Sequence, residues 1–213
     1  MKLIWIAASL SLLSACTEAS TAQAPPAYDS NWYVSEGWPG EYPQGITILK
    51  DGVVLDGRAE MDKASAKSIK CPVPKGANYN QWNYDRVTMD KLKFFSASRK
   101  FTVTVNAPVK VLAVDDDTDV TLDLKQGETL TYLTYIAEGF ALMAYQGKEY
   151  QINEADFDNK ATFGSTENVA DDLWVNIPCA GDVRGWVLHA EVQGVDGIGE
   201  TQHTEYGASR DLP

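Results

Sequence analysis

The chain of 213 residues predicts an all-β fold, on three observations. From Val87 to Ile152, short runs of β-branched and aromatic residues recur at even spacing, separated by Gly, Pro, Asn, Asp and Gln. Aromatic and glycine-rich stretches flank that block, and no stretch holds the 3.6-residue apolar period of a long amphipathic helix. The apolar fraction of 44% is enough for genuine cores. Short strands at this spacing specify a small barrel or sandwich.

Met1 and Lys2 precede an apolar run from Leu3 to Leu13. That run is far shorter than the ~20 residues a membrane helix needs, so residues 1–15 read as a signal peptide. The segment Leu13-Ser14-Ala15-Cys16 resembles the lipobox of bacterial lipoproteins, with secretion and cleavage elsewhere as the alternative. The resemblance implies that Cys16 is acylated, with palmitate-type chains, and becomes the membrane-anchored N-terminus. Thr17, where an Asp would favour inner-membrane retention, implies the outer membrane, facing the periplasm. Residues 16–30 are rich in Ala, Ser, Thr and Pro and read as a lipidated, flexible tether.

The formal charge is −12. It becomes −13 once the leader leaves, because Lys2 goes and no acid does, giving 17 basic against 30 acidic residues. Such a surface repels nucleic acid and anionic lipid alike, and it favours cations or basic proteins. With Cys16 assigned to lipid, Cys71 and Cys179 remain in an oxidising compartment and are expected to form a disulfide, against the alternative of two buried thiols.

The body, residues 31–98 in its first part, opens on aromatics interleaved with Gly and Pro: Trp32, Tyr33, Trp38 and Tyr42, with Tyr28 just before them. Trp32, Trp38 and Tyr42 are candidate ligand-stacking residues, and capping of a small β core is the competing role. Gly45–Lys50 and Val53–Arg58 flank Asp51-Gly52, which predicts a two-residue hairpin with a type I′ turn. Asp62–Ser68 fits a short helical turn, and Pro72 and Pro74 keep Lys70–Pro74 extended. Strands then follow at Phe101–Val105, Val109–Val114, Val120–Leu124, Thr129–Ile136, Phe140–Tyr145 and Glu149–Ile152. Leu173–Ile177 and Val183–Leu188 form another hairpin around Ala180-Gly181-Asp182, and residues 193–213, Gly-rich and polar, are expected as a disordered tail.

Within residues 99–157, Val109-Lys110-Val111-Leu112, Lys125-Gln126-Gly127-Glu128, Gly139-Phe140-Ala141-Leu142 and Gly147-Lys148-Glu149-Tyr150 follow one another in order. They resemble the Leu-Asn-Val-Arg-like strand, Lys-x-Gly-Glu turn, Gly-aromatic strand and closing hairpin of bacterial SH3-like domains. Leu112 stands where that family has Arg, and Glu149-Tyr150 where it has Gly-Trp. The resemblance implies a small SH3-like barrel without carrying over a ligand groove. A weaker echo at Leu173-Trp174-Val175 and Arg184-Gly185-Trp186-Val187 implies a second such lobe, completed when residues 173–188 pack on 45–86.

Asp115, Asp116, Asp117 and Asp119 are the densest carboxylate group, yet Val120 and Gln126 stand where an EF-hand loop needs Gly and Glu, so a solvated turn is expected and no metal. The two histidines, His189 and His203, fall on separate segments, the second in the expected tail. No Gly-x-Ser-x-Gly elbow, phosphate loop or His-Glu-x-x-His occurs, and no cofactor is expected. The reading is therefore a membrane-anchored envelope lipoprotein, non-catalytic, that binds peptidoglycan or an envelope protein as a binding or scaffold module. The alternatives are an acidic inhibitor of a basic envelope hydrolase such as lysozyme, acting through the Asp115–Asp119 carboxylates, and an envelope enzyme.

Overall fold

The computed structural model describes residues 28–83, 92–157, 159–164 and 171–213. Cys16, the leader and most of the expected tether lie outside the described residues, as does the start of the expected strand block at Val87. The described residues are all-β, with only short 3-10 turns besides, and no helix among them is long and apolar enough to cross a membrane.

The first segment carries β1 (Trp32–Glu36), β2 (Ile46–Ile48), β3 (Val54–Gly57), β4 (Ile69–Pro72), β5 (Asn78–Tyr79) and β6 (Lys93–Arg99). The middle carries β7 (Phe101–Thr104), β8 (Val109–Asp115), β9 (Thr118–Leu124), β10 (Thr129–Ala137), β11 (Phe140–Tyr145) and β12 (Lys148–Asn153). The last carries β13 (Asp172–Pro178), β14 (Arg184–Leu188), β15 (Ile198–Gly199), β16 (His203–Glu205) and β17 (Ala208–Ser209).

The middle segment makes one six-stranded sheet, ordered β7-β10-β11-β12-β8-β9. Its strands alternate as a half-buried sheet must: Val111 and Ala113 of β8 point inward, while Leu112 is 60% exposed. Tight turns join the strands. Asp116-Asp117, Glu138-Gly139 and Gln146-Gly147 each hold two successive residues at positive φ, the I′ geometry whose twist matches that of paired strands. Val103, Leu124, Leu130, Met143, Ile152 and Phe163 fill its core. Among the described residues no closed barrel forms, which corrects the expectation of barrels; at the β7 end of the sheet the Gly164 amide donates to the Thr104 carbonyl at 2.8 Å and Val105 bridges Phe163.

The first and last segments share a different core. β6 pairs with β13 from Lys93↔Asn176 to Ala97↔Asp172, in a four-stranded sheet ordered β1-β6-β13-β14. That sheet is covered on both faces: Phe94, Val175 and Ile177 join Ile46, Leu55 and Val73 on one side, and Ala97 and Trp174 meet Tyr28 and Met61 on the other. Residues 101–163 are thus inserted into a body built from both ends of the chain. The Cys71–Cys179 disulfide links those ends across 108 residues. Beside it, a Cβ on Gly185 would stand 2.9 Å from Cys71 Sγ and 3.0 Å from Cys179 Sγ, so no side chain fits there. The two bodies meet where Ser98 and Thr134 hydroxyls bond at 2.7 Å and the Gly40 amide donates to the Ile136 carbonyl at 2.6 Å.

Three local expectations are corrected. Asp51-Gly52 is a turn, but only Gly52 takes positive φ, and the strands it joins belong to different sheets. β2 is buried at every residue and pairs with β5 and β15, whereas β3 alternates and pairs with β4. Asp62–Ser68 is a set of turns, held where the Ala64 amide donates to Asp62 Oδ1 at 2.8 Å, because that local acceptor competes with helix.

Residues 193–213, expected as a disordered tail, are the third. They contain β15, β16 and β17 and fold back over residues 76–83. The order comes from hydrogen bonding, which composition does not display. Buried Asn78 donates from Nδ2 to the Gln202 carbonyl, Ser209 Oγ and the Arg210 carbonyl at 2.6 to 3.1 Å, and the Leu212 amide donates to the Gly76 carbonyl at 2.7 Å. A buried amide with all its donors used is a strong local anchor.

Candidate functional site

The returning C-terminal segment builds a cleft. Tyr42, Pro43, Gln44 and Gly45 form one wall, Gln193, Glu200, Thr201 and His203 the other, and His189 lies within, enclosing about 350 Å³. A smaller cavity of about 140 Å³ continues from Gly45, His189, Gln193 and Glu200 toward Ile46 and Ile198. The walls are pressed together. A Cβ on Gly45 would collide with Thr201 Oγ1 and stand 2.6 Å from the Tyr79 carbonyl. Asn80, fully buried, ties the first wall by donating from Nδ2 to the Pro43 carbonyl at 2.8 Å.

At the rim, four aromatic rings pack edge to face. Tyr42 meets Trp82, His203 and Tyr206, and Trp82 meets His203 and Tyr206, with centroids 5.3 to 5.9 Å apart and planes tilted 62° to 81°. Such T-shaped contacts suit the ring quadrupoles. Tyr42 is 55% and Tyr206 66% exposed, so the cluster presents aromatic side chains to solvent. The β16–β17 hairpin supplies His203 and Tyr206, and its turn at Tyr206-Gly207 has Gly207 at φ +73°.

Both histidines favour the neutral form. Burial pushes the His189 imidazole below the usual range against the opposing effects of a hydrogen bond to the Gly45 backbone and the Glu200 charge. Burial lowers His203 as well, against a hydrogen bond to the Pro43 backbone. The Nδ1 of His203 is buried without a partner among the described residues. With the imidazoles neutral, Glu200 is the one formally charged residue lining the cleft among the described residues. Among the described residues, no group of three His, Cys, Asp or Glu side chains stands ready to hold a metal ion. The arrangement can stack a flat apolar face on Tyr42 or Tyr206 and offer amides, a hydroxyl and backbone groups to a neutral polar ligand.

The sequence candidates scatter. Tyr42 belongs to the site. Trp38 does not: it is 3% exposed, donates from Nε1 to the Trp174 carbonyl at 2.9 Å and packs on Phe94, so it is a core residue. Trp32 is half-buried against Tyr28, with the Lys63 ammonium 5.8 Å from its ring centroid. Asp115 to Asp119 form the β8–β9 tip on the inserted body, where Asp115 pairs with Lys148 at 3.2 Å while Asp116, Asp117 and Asp119 are exposed. The Cys71 and Cys179 thiols are joined to each other. Sequence reasoning missed Trp82, His203 and Tyr206. The Tyr206-Gly207 pair after the alternating His203-Thr204-Glu205 was the available signal for a hairpin. It also kept the two histidines apart, whereas the fold brings both to one cleft.

The chain matches no family model, no curated protein and no solved structure.

Proposed function

We propose that the protein is a lipid-anchored, non-catalytic binding module of the cell envelope, held through acylated Cys16 on the outer membrane's periplasmic face and gripping peptidoglycan with its aromatic cleft. The observation that carries this reading is the exposed Tyr42–Trp82–His203–Tyr206 cluster beside a cleft whose lining is polar but nearly uncharged. Exposed clustered aromatics hold apolar surface in water, a partner that covers it gains from removing that surface from solvent, and a flat ligand face is what the rings accept. The leader and Leu13-Ser14-Ala15-Cys16 support the anchor.

The inserted body supports an SH3-like assignment for residues 99–157. The motif segments fall in chain order on β8, the Lys125–Glu128 turn, β11 and the β11–β12 hairpin of one sheet, and the Lys125 amide donates to Glu128 Oε2 at 2.7 Å within the turn. A second reading, inhibition of a basic hydrolase, is favoured by one observation, the exposed carboxylates of Asp116, Asp117 and Asp119 at a hairpin tip. Co-sedimentation with purified sacculi and inhibition of lysozyme separate the two. Sacculus binding that persists in high salt supports the module; salt-sensitive lysozyme inhibition without it supports the inhibitor.

A further inference from the structure

We infer that the ligand of the aromatic cleft is an uncharged, N-acetylated glycan chain, with a sugar ring stacked on Tyr42 or Tyr206 and its hydroxyl and amide groups met by Gln44, Gln193 and Thr201. This rests on the binding-module reading and names the part of the polymer that the cleft takes.

Three features select that chemistry. The first is ring geometry. A cage for an ammonium group needs ring faces converging on one open point within about 6 Å of each centroid. Here the rings pack on one another in T-shaped pairs at 5.3 to 5.9 Å, and Tyr42 and Tyr206 stay more than half exposed. That is a platform, and a platform takes a flat ligand with an apolar face, such as the C–H face of a pyranose ring.

The second is lining chemistry. Planar amides at Gln44 and Gln193, the Thr201 hydroxyl and backbone groups at Pro43 and Gly45 offer both donors and acceptors, which suits hydroxyls and acetamido groups. The third is charge. Glu200 in the cleft and the excess of acids over the whole chain oppose anionic ligands, including the carboxylates of peptidoglycan stem peptides and phosphate-bearing polymers. Sugar rings of the glycan strand carry no such charge.

The test is saturation-transfer NMR and calorimetry of the mature chain with chitotetraose, beside co-sedimentation with purified sacculi. Saturation should reach the sugar ring C–H protons, and Tyr42→Ala or Tyr206→Ala should weaken binding about tenfold, the scale of one lost stacking contact. Tyr206→Phe, which keeps the ring, should recover binding that Tyr206→Ala loses, and a Phe variant as weak as the Ala variant would overturn ring stacking at this position. Both tyrosines are more than half exposed, so the fold tolerates their removal. Binding of sacculi without binding of chitotetraose overturns the glycan assignment and leaves the module reading intact. Binding of neither overturns both, and chitotetraose binding indifferent to both alanine variants overturns the placement of the ligand on this platform.

Discussion

Asn78 Nδ2 donates to Ser209 Oγ at 2.6 Å, a buried contact between residues 131 apart in the chain. The same amide nitrogen also reaches the Gln202 and Arg210 carbonyls, and Asn78 Oδ1 accepts from Thr47 Oγ1 at 3.2 Å. One side chain therefore fixes the C-terminal segment against the loop bearing Trp82, and with it the site's second wall. Asn78→Asp keeps the size, removes the donors and buries a charge among carbonyl oxygens. We expect a loss of about 2 to 4 kcal/mol. Urea unfolding followed by tryptophan fluorescence reads it selectively, because every described tryptophan lies outside the inserted body.

Reduction tests the other long-range tie. The Cys71–Cys179 bond closes a loop of 108 residues' separation, and in the chain-entropy account its loss costs about 4 to 5 kcal/mol. The pair of Cys71→Ser and Cys179→Ser should unfold at markedly lower urea than the oxidised chain. Equal midpoints would mean that the disulfide constrains nothing the core does not already hold.

At the β8–β9 tip, Asp116 and Asp117 sit at φ +45° and +61°, a conformation that costs a residue with a Cβ more than it costs glycine. Asp117→Gly should stabilise the inserted body by about 0.5 to 1 kcal/mol. Hydrogen exchange of the β8 and β9 amides would register it as slower opening.

Acid should weaken the fold in two stages. His189 and His203 have folded pKa values below the 6.5 of an unfolded histidine, so below that pH the unfolded chain holds more protons and stability falls. Glu191 is held below 4.5, chiefly by its hydrogen bonds from the Arg58 guanidinium at 2.7 Å. Its contribution is present above 4.5 and disappears as the pH drops through its folded value. Thermal melts from pH 7.5 to 3 should show both stages, and His189→Gln should flatten the slope of the first.

The sequence displays the inserted sheet because its signal is local. The strand Phe140–Tyr145 was legible to the residue, since alternation and two-residue turns are written in neighbouring positions. The other body was harder to read. β2 is buried on both faces and so carries no alternation, and its partners, Asn78–Tyr79 and Ile198–Gly199, lie far along the chain. Residues 193–213 are polar, and their order depends on Asn78, Asn80 and Asn83, whose side-chain amides look like loop composition until they are seen buried. The site inherits that difficulty. Only Tyr42 was legible in it, while Trp82 and the β16–β17 hairpin reach it through long-range contacts.

The most direct test of the account is sedimentation of the protein with purified sacculi, comparing it with a Tyr42→Ala, Tyr206→Ala double variant in low and high salt. The account predicts that the unaltered chain pellets equally in both salts and that the variant, still folded by its tryptophan fluorescence, stays in the supernatant. Co-pelleting of the variant, or binding by the unaltered chain that salt abolishes, would contradict it.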